Sequence, residues 1–160
     1  MDAEIKHLSD TLIFEIVNAI GLPRNRFWFR VFHPLFIRAT ERMATIGVTL
    51  NRKIAAEGVD QATGWALTHW CRDIQAHGME NVPAEGPVLV VSNHAGAYDS
   101  FLICSQMRRK DFLVISSDIP FFKNLQHVSE HAVFLSEKIG DRMTATRTAI
   151  RHMQNPNPSG

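Results

Sequence analysis

The 160-residue sequence has only two cysteines, Cys71 and Cys104, and neither falls in a CxxC pair or a zinc-ligand spacing. A disulfide framework is therefore excluded, and the expectation is a pair of small, buried hydrophobes in a reducing compartment. Charge of one sign is equally scarce. Seventeen basic and 16 acidic residues leave a formal net charge of +1, so no global field is available to attract a nucleic acid. The N-terminus, residues 1–10, is acidic and polar and lacks the basic and apolar regions of a signal peptide. No run reaches the roughly 18 uncharged apolar residues of a membrane-spanning helix, so any attachment to a bilayer is expected to be peripheral. Neither HExxH nor G-x-S-x-G occurs, which removes the usual signatures of a zinc hydrolase and of a nucleophile elbow. Internal repeats and low-complexity stretches are absent too.

What is present is an ordinary globular balance. Hydrophobic residues make up 45% and charged residues 21%, enough apolar material for the core of one domain.

Residues 1–76 read as helical. Asp10 is placed to cap a helix carrying Leu12, Ile13, Ile16, Val17 and Ile20, with Gly21 and Pro23 as its stop. Pro34 is expected to open a second helix running to about Glu57, where Gly58 ends it. A third is predicted over Gln61 to Ala76, closed by Gly78.

Beyond residue 77 the character changes. Pro83, Gly86 and Pro87 mark a loop, and Val88–Val91 is a β-branched-rich run predicted to be a strand buried on both faces. A helix from Asp99 to about Met107 follows, then a strand over Phe112–Ser116 and a helical link over Phe121–His131. A strand at Ala132–Leu135 and a helix capped by Asp141 and running through His152 complete the pattern. Residues 155–160 are turn chemistry. Strands separated by helices predict an α/β fold: an N-terminal helical region, 1–76, and an α/β region, 77–160, built on a largely parallel sheet with flanking helices.

The chemistry centres on residues 92–99, Ser-Asn-His-Ala-Gly-Ala-Tyr-Asp. His94 and Asp99 follow the predicted strand and open the next helix, where ligands gather in open α/β sheets. In one continuous helix, residues five apart stand about 140° apart around the axis. Gly96 and its alanine neighbours instead permit a tight turn that returns Asp99 to His94. A neutral imidazole can take a proton from an attacking hydroxyl, while a carboxylate on its other nitrogen fixes the tautomer and steadies the imidazolium.

The order Gly78, Glu80, Asn81, Pro83, Gly86, Pro87, Asn93, His94, Asp99 resembles the glycerolipid acyltransferase family, which places G-x-E-N-x-P-x-x-G-P before a strand and an N-H-x-x-x-x-D block. The resemblance covers roughly residues 77–155. It implies an acyltransferase in which His94 is the general base and Asp99 orients it. The acyl donor would be acyl-CoA or acyl-carrier protein, acting as co-substrate, with no metal and no other cofactor. The acceptor would be the hydroxyl of a glycerol phosphate, a lysophospholipid or a similar lipid, with Asn93 contributing to substrate binding. The family's second block, Phe-hydrophobic-x-Arg, corresponds to Phe134, Leu135, Ser136 and Glu137, so Glu137 stands where the arginine would be. Lys138 or Arg142 is the expected substitute for that charge, although an ammonium does not reproduce a guanidinium fork. Later family blocks have no counterpart before Gly160, so the domain is expected to be truncated. A cytoplasmic protein at the inner face of the cell membrane is the corresponding expectation. The alternative is a lipid- or membrane-binding module that keeps the scaffold without the activity.

One segment stands outside this pattern. Between Arg24 and Arg38, Phe27, Trp28, Phe29, Phe32 and Phe36 alternate with Arg24, Arg26, Arg30 and Arg38. Such a helix can lie at a lipid interface or pack an apolar stripe inward with its arginines snorkelling.

Overall fold

A computed structural model describes residues 2–93, 96–107, 109, 111–136 and 139–154. Its first element, α1 (Ala3–Ala19), begins where the Asp2 carboxylate accepts the Glu4 N–H at 3.2 Å. Asp10 is therefore interior to the helix rather than its cap. The apolar face already runs through Ile5 and Leu8, and the capping carboxylate sits just upstream of it. α2 (Arg26–Glu57) starts at Asn25, whose Oδ1 accepts the N–H groups of Phe27 and Trp28 at 3.1 Å each. Pro34 lies inside α2 and does not open it. A side-chain cap upstream and packing along α1 outweigh the roughly 3 kcal/mol that an interior proline costs.

α1 and α2 run antiparallel, as three contacts show. Ser9 and Thr40 share a buried hydroxyl bond of 2.8 Å, Phe14 stacks on Phe29 at 4.7 Å, and Arg52 reaches Asp2 and Glu4. Gly58, at φ +94°, ends α2 and begins α3 (Val59–Leu67). α3 stops well short of Ala76. Thr68 Oγ1 donates to the Trp65 carbonyl at 2.7 Å, and His69 Nδ1 lies 3.1 Å from the Ala66 carbonyl. These side chains take the carbonyls that a further turn would need.

Val88–Val91 forms no strand. Leu89, Val90 and Val91 are 68%, 45% and 83% exposed, the opposite of the burial expected. Strand preference is expressed only on a pleated, packed surface, and among the described residues the sheet contains β1 and β2 alone. These strands, β1 (Val114–Ser117) and β2 (Ala132–Leu135), pair in parallel from Val114↔Ala132 to Ser117↔Leu135. Two short helices, α5 (Pro120–Lys123) and α6 (Gln126–Glu130), make the crossover between them, after α4 (Asp99–Gln106). α7 (Ile139–Gln154) follows β2 and begins upstream of Asp141, so Asp141 belongs to its first turn. The expected turn at 155–160 lies outside the described residues. The result is a mostly helical α/β fold with a small parallel sheet and flanking helices.

Two cores join the halves. In one, Leu50, Ile54, Val59, Ala62 and Ala66 enclose Cys104, with Phe101 and Val114 against them. In the other, Leu8, Ala44 and Val48 enclose Phe121 and Leu125. Gly47 permits that second contact, since a Cβ there would stand 2.6 Å from Phe121 Cζ. Neither α5 nor α6 has a capping side chain of its own. The helical hairpin supplies them instead. Glu15 Oε1 accepts the Phe121 N–H at 2.7 Å, and Asn51 Oδ1 accepts those of His127 and Val128 at 2.7 and 3.3 Å. Burial raises the Glu15 carboxyl above its ordinary range, against the lowering effects of the Phe121 N–H and Arg24.

Candidate active site

The loop before residue 88 is held by one guanidinium. Arg109 donates to the carbonyls of Pro83 and Gly86 at 2.9 and 2.8 Å, and to both oxygens of Asp111 at 2.9 and 2.6 Å. That fork holds the Asp111 carboxyl below its ordinary value. His152 Nε2, 2.7 Å from the Asp111 carbonyl, ties α7 to the same point.

Gly96 to Asp99 then forms a closed turn. Asp99 Oδ2 accepts the Gly96 N–H at 2.8 Å, and the Asp99 N–H approaches the Gly96 carbonyl at 3.4 Å. A Cβ on Gly96 would lie 3.3 Å from Asp99 Oδ1, so the absence of a side chain lets the carboxylate fold back. Tyr98 stacks on Trp70 with centroids 4.4 Å apart and planes inclined by 10°, while Trp70 also touches Phe101. Trp70 thus fixes the turn from outside. Nothing in the spacing of Trp70 reveals this, because it lies 28 residues from Tyr98 and beyond the end of α3. α4 is anchored beneath by Cys104, whose thiol burial pushes up to about 11. At that value it is a core residue rather than a nucleophile.

His94 and Lys138 lie outside the described residues. Asn93 is exposed at the end of the extended segment. Phe134 is half-buried on β2, with Lys123 Nζ 5.6 Å from its ring centroid. An open cleft of about 830 Å³ lies at the carboxyl ends of both strands, lined by Ser117, Asp118, Leu135, Ser136, Arg142 and Thr146. Arg142 is thus brought to the cleft, its Nε donating to the Ser136 carbonyl at 3.2 Å. Phe134 and Asp99 are not part of that lining. Among the described residues no cluster of three or more His, Cys, Asp or Glu could hold a metal.

The family model described as Acyltransferase matches residues 73–158, more than half of the chain and all of the features just described. The chain belongs to the glycerolipid acyltransferase family. Its activity class is acyl transfer from a donor to a hydroxyl acceptor. No curated protein and no solved structure matches this acyltransferase.

Proposed function

We propose that the chain moves a fatty acyl group from acyl-CoA or acyl-carrier protein to a hydroxyl of a glycerol phosphate, a lysophospholipid or a similar acceptor. His94 accepts the hydroxyl proton as that oxygen attacks the thioester carbonyl. The C–S bond then breaks, the thiolate takes the proton back from the imidazolium, and an ester and a free thiol leave. Asp99 holds the imidazole. The observation that carries this reading is the closed Gly96–Asp99 turn, in which one carboxylate oxygen is occupied by a backbone N–H and the carboxylate keeps capacity for a further donor.

Arg142 is assigned the acceptor's anionic group, in place of the arginine that Glu137 replaces. Its support is its position in the cleft at the strand ends, where ligands of α/β sheets gather. Asn93, Phe134 and Lys138 are secondary binding residues. The reaction is placed on the cytoplasmic side, at the inner face of the cell membrane. Two unpaired cysteines suit that compartment, and the lipid acceptor resides at that surface.

The test is thiol release from acyl-CoA in the presence of glycerol 3-phosphate or a lysophospholipid. His94→Ala should abolish it, and Asp99→Asn should lower it by roughly 10²–10⁴-fold, the range of general acid–base contributions. Turnover retained in His94→Ala would remove the assignment. Glu137 and the exposed Leu89–Val91 segment favour a second reading, a lipid-binding scaffold without activity. Vesicle binding with no thiol release from any acceptor selects it.

A further inference from the structure

The hairpin carries a surface that acyl transfer does not use. On α2, Phe27, Val31 and Leu35 are 65%, 43% and 72% exposed. Their spacing of four puts them in one row that drifts by about 40° per step. Beside it runs a half-buried row, Trp28, Phe32 and Phe36, whose rings touch in sequence at 6.3 and 5.9 Å. The two rows make a band rather than scattered exposed hydrophobics, and Ile20, 54% exposed, extends it to the closed end of the hairpin.

The charge around this band has one sign. Residues 16–40 contain no Asp or Glu but include Arg24, Arg26, Arg30 and Arg38. Arg24 lies over the Phe14 ring at 5.2 Å. Among the described residues, Arg26, Arg30 and Arg38 have no hydrogen-bond or ion-pair partner, in contrast to Arg52 further along the same helix. A core-facing stripe would be buried. A two-fold contact with a second copy would set like-charged arginines against one another. No helix is long and apolar enough to cross a membrane, so a bilayer partner would be met at its surface.

We infer that the closed end of the α1–α2 hairpin docks on an anionic lipid bilayer. Phe27, Val31 and Leu35 enter the boundary between headgroups and acyl chains, and Arg26, Arg30 and Arg38 meet lipid phosphates. This deepens the peripheral attachment proposed above and rests on that placement, though not on the roles of His94 and Asp99.

The experiment is co-sedimentation of the full chain with phosphatidylcholine vesicles, with and without phosphatidylglycerol, at low and high salt. Binding should require phosphatidylglycerol and weaken with salt. The double variant Phe27→Glu/Leu35→Glu should lose at least about tenfold in partitioning, because acyl-boundary insertion scales with buried apolar area. Arg30→Gln/Arg38→Gln should lose about fivefold per charge, with a shallower salt dependence. These side chains are exposed, so the melting temperature of each variant should match wild type, which separates lost docking from lost folding. Thiol release with water-soluble glycerol 3-phosphate, without vesicles, should be equal in wild type and in Phe27→Glu/Leu35→Glu. Equal absence of release defeats the catalytic reading and leaves the docking standing. No binding to phosphatidylglycerol vesicles, or undiminished binding of the double variant, overturns the docking. A wild-type dimer that the double variant dissociates, without vesicle binding, also overturns it and makes the band a self-association surface.

Discussion

At Gly96 the absence of one methyl group shapes the candidate site. The backbone N–H must reach Asp99 Oδ2 at 2.8 Å while Oδ1 passes 3.3 Å from where a Cβ would sit. Gly96→Val should therefore cost at least about tenfold in kcat, through displacement of a positioned carboxylate, and leave the melting temperature nearly unchanged because the position is exposed. Steady-state kinetics beside a thermal melt checks both halves. Arg142→Gln should raise KM for an acceptor bearing a phosphate by about tenfold, the scale of a charge-assisted bond, and leave KM for the acyl donor alone. Equal changes in both would remove its assignment. Asp111 supplies a pH signature. Its carboxyl is held low in the fold, chiefly by the Arg109 hydrogen bond. Its contribution to stability is thus complete above the unfolded value of about 3.9 and lost as pH falls through the lower folded value. The stability gap between wild type and Asp111→Asn should be constant near neutrality and shrink in that acid window. Of these residues, Gly96, Asp99 and Arg142 were legible from spacing and resemblance. The Arg109 clip and the Trp70–Tyr98 stack were not, since each joins positions whose proximity only the folded chain creates.

Among the elements, α2 and α5 meet at the tightest point. Gly47→Val should lower stability by about 1–3 kcal/mol, the usual cost of overpacking, because Phe121 is 4% exposed and its ring has no room to retreat. A chemical denaturation curve reads this directly. The same region shows what sequence pattern conveys and what it omits. Ala132–Leu135 and Asp99–Gln106 match their expected spans closely, because local pattern and burial agree there. Both early helix starts were misjudged, since Asp10 and Pro34 are plausible end signals but Asp2 and Asn25 hold the actual caps. Periodicity alone does not choose between competing caps. Val88–Val91 failed for another reason: four β-branched or aliphatic residues in a row encode a willingness to pair, and pairing needs a neighbour.

For the whole molecule, that exposed segment sets the solution behaviour. An extended apolar stretch with unpaired backbone is a template for association. Leu89→Lys/Val91→Lys should reduce concentration-dependent light scattering, and unchanged scattering would locate the sticky surface elsewhere. The α5–α6 crossover has a quieter consequence. The acceptors that meet the first N–H groups of α5 and α6 come from Glu15 and Asn51, both on the hairpin and far outside the family match. A protein expressed from residue 73 onward would hold every recognisable signature of its family and yet lack the two acceptors that let its short helices begin. Recognition and foldability have different borders in this chain, and anyone trimming it to the first would lose the second.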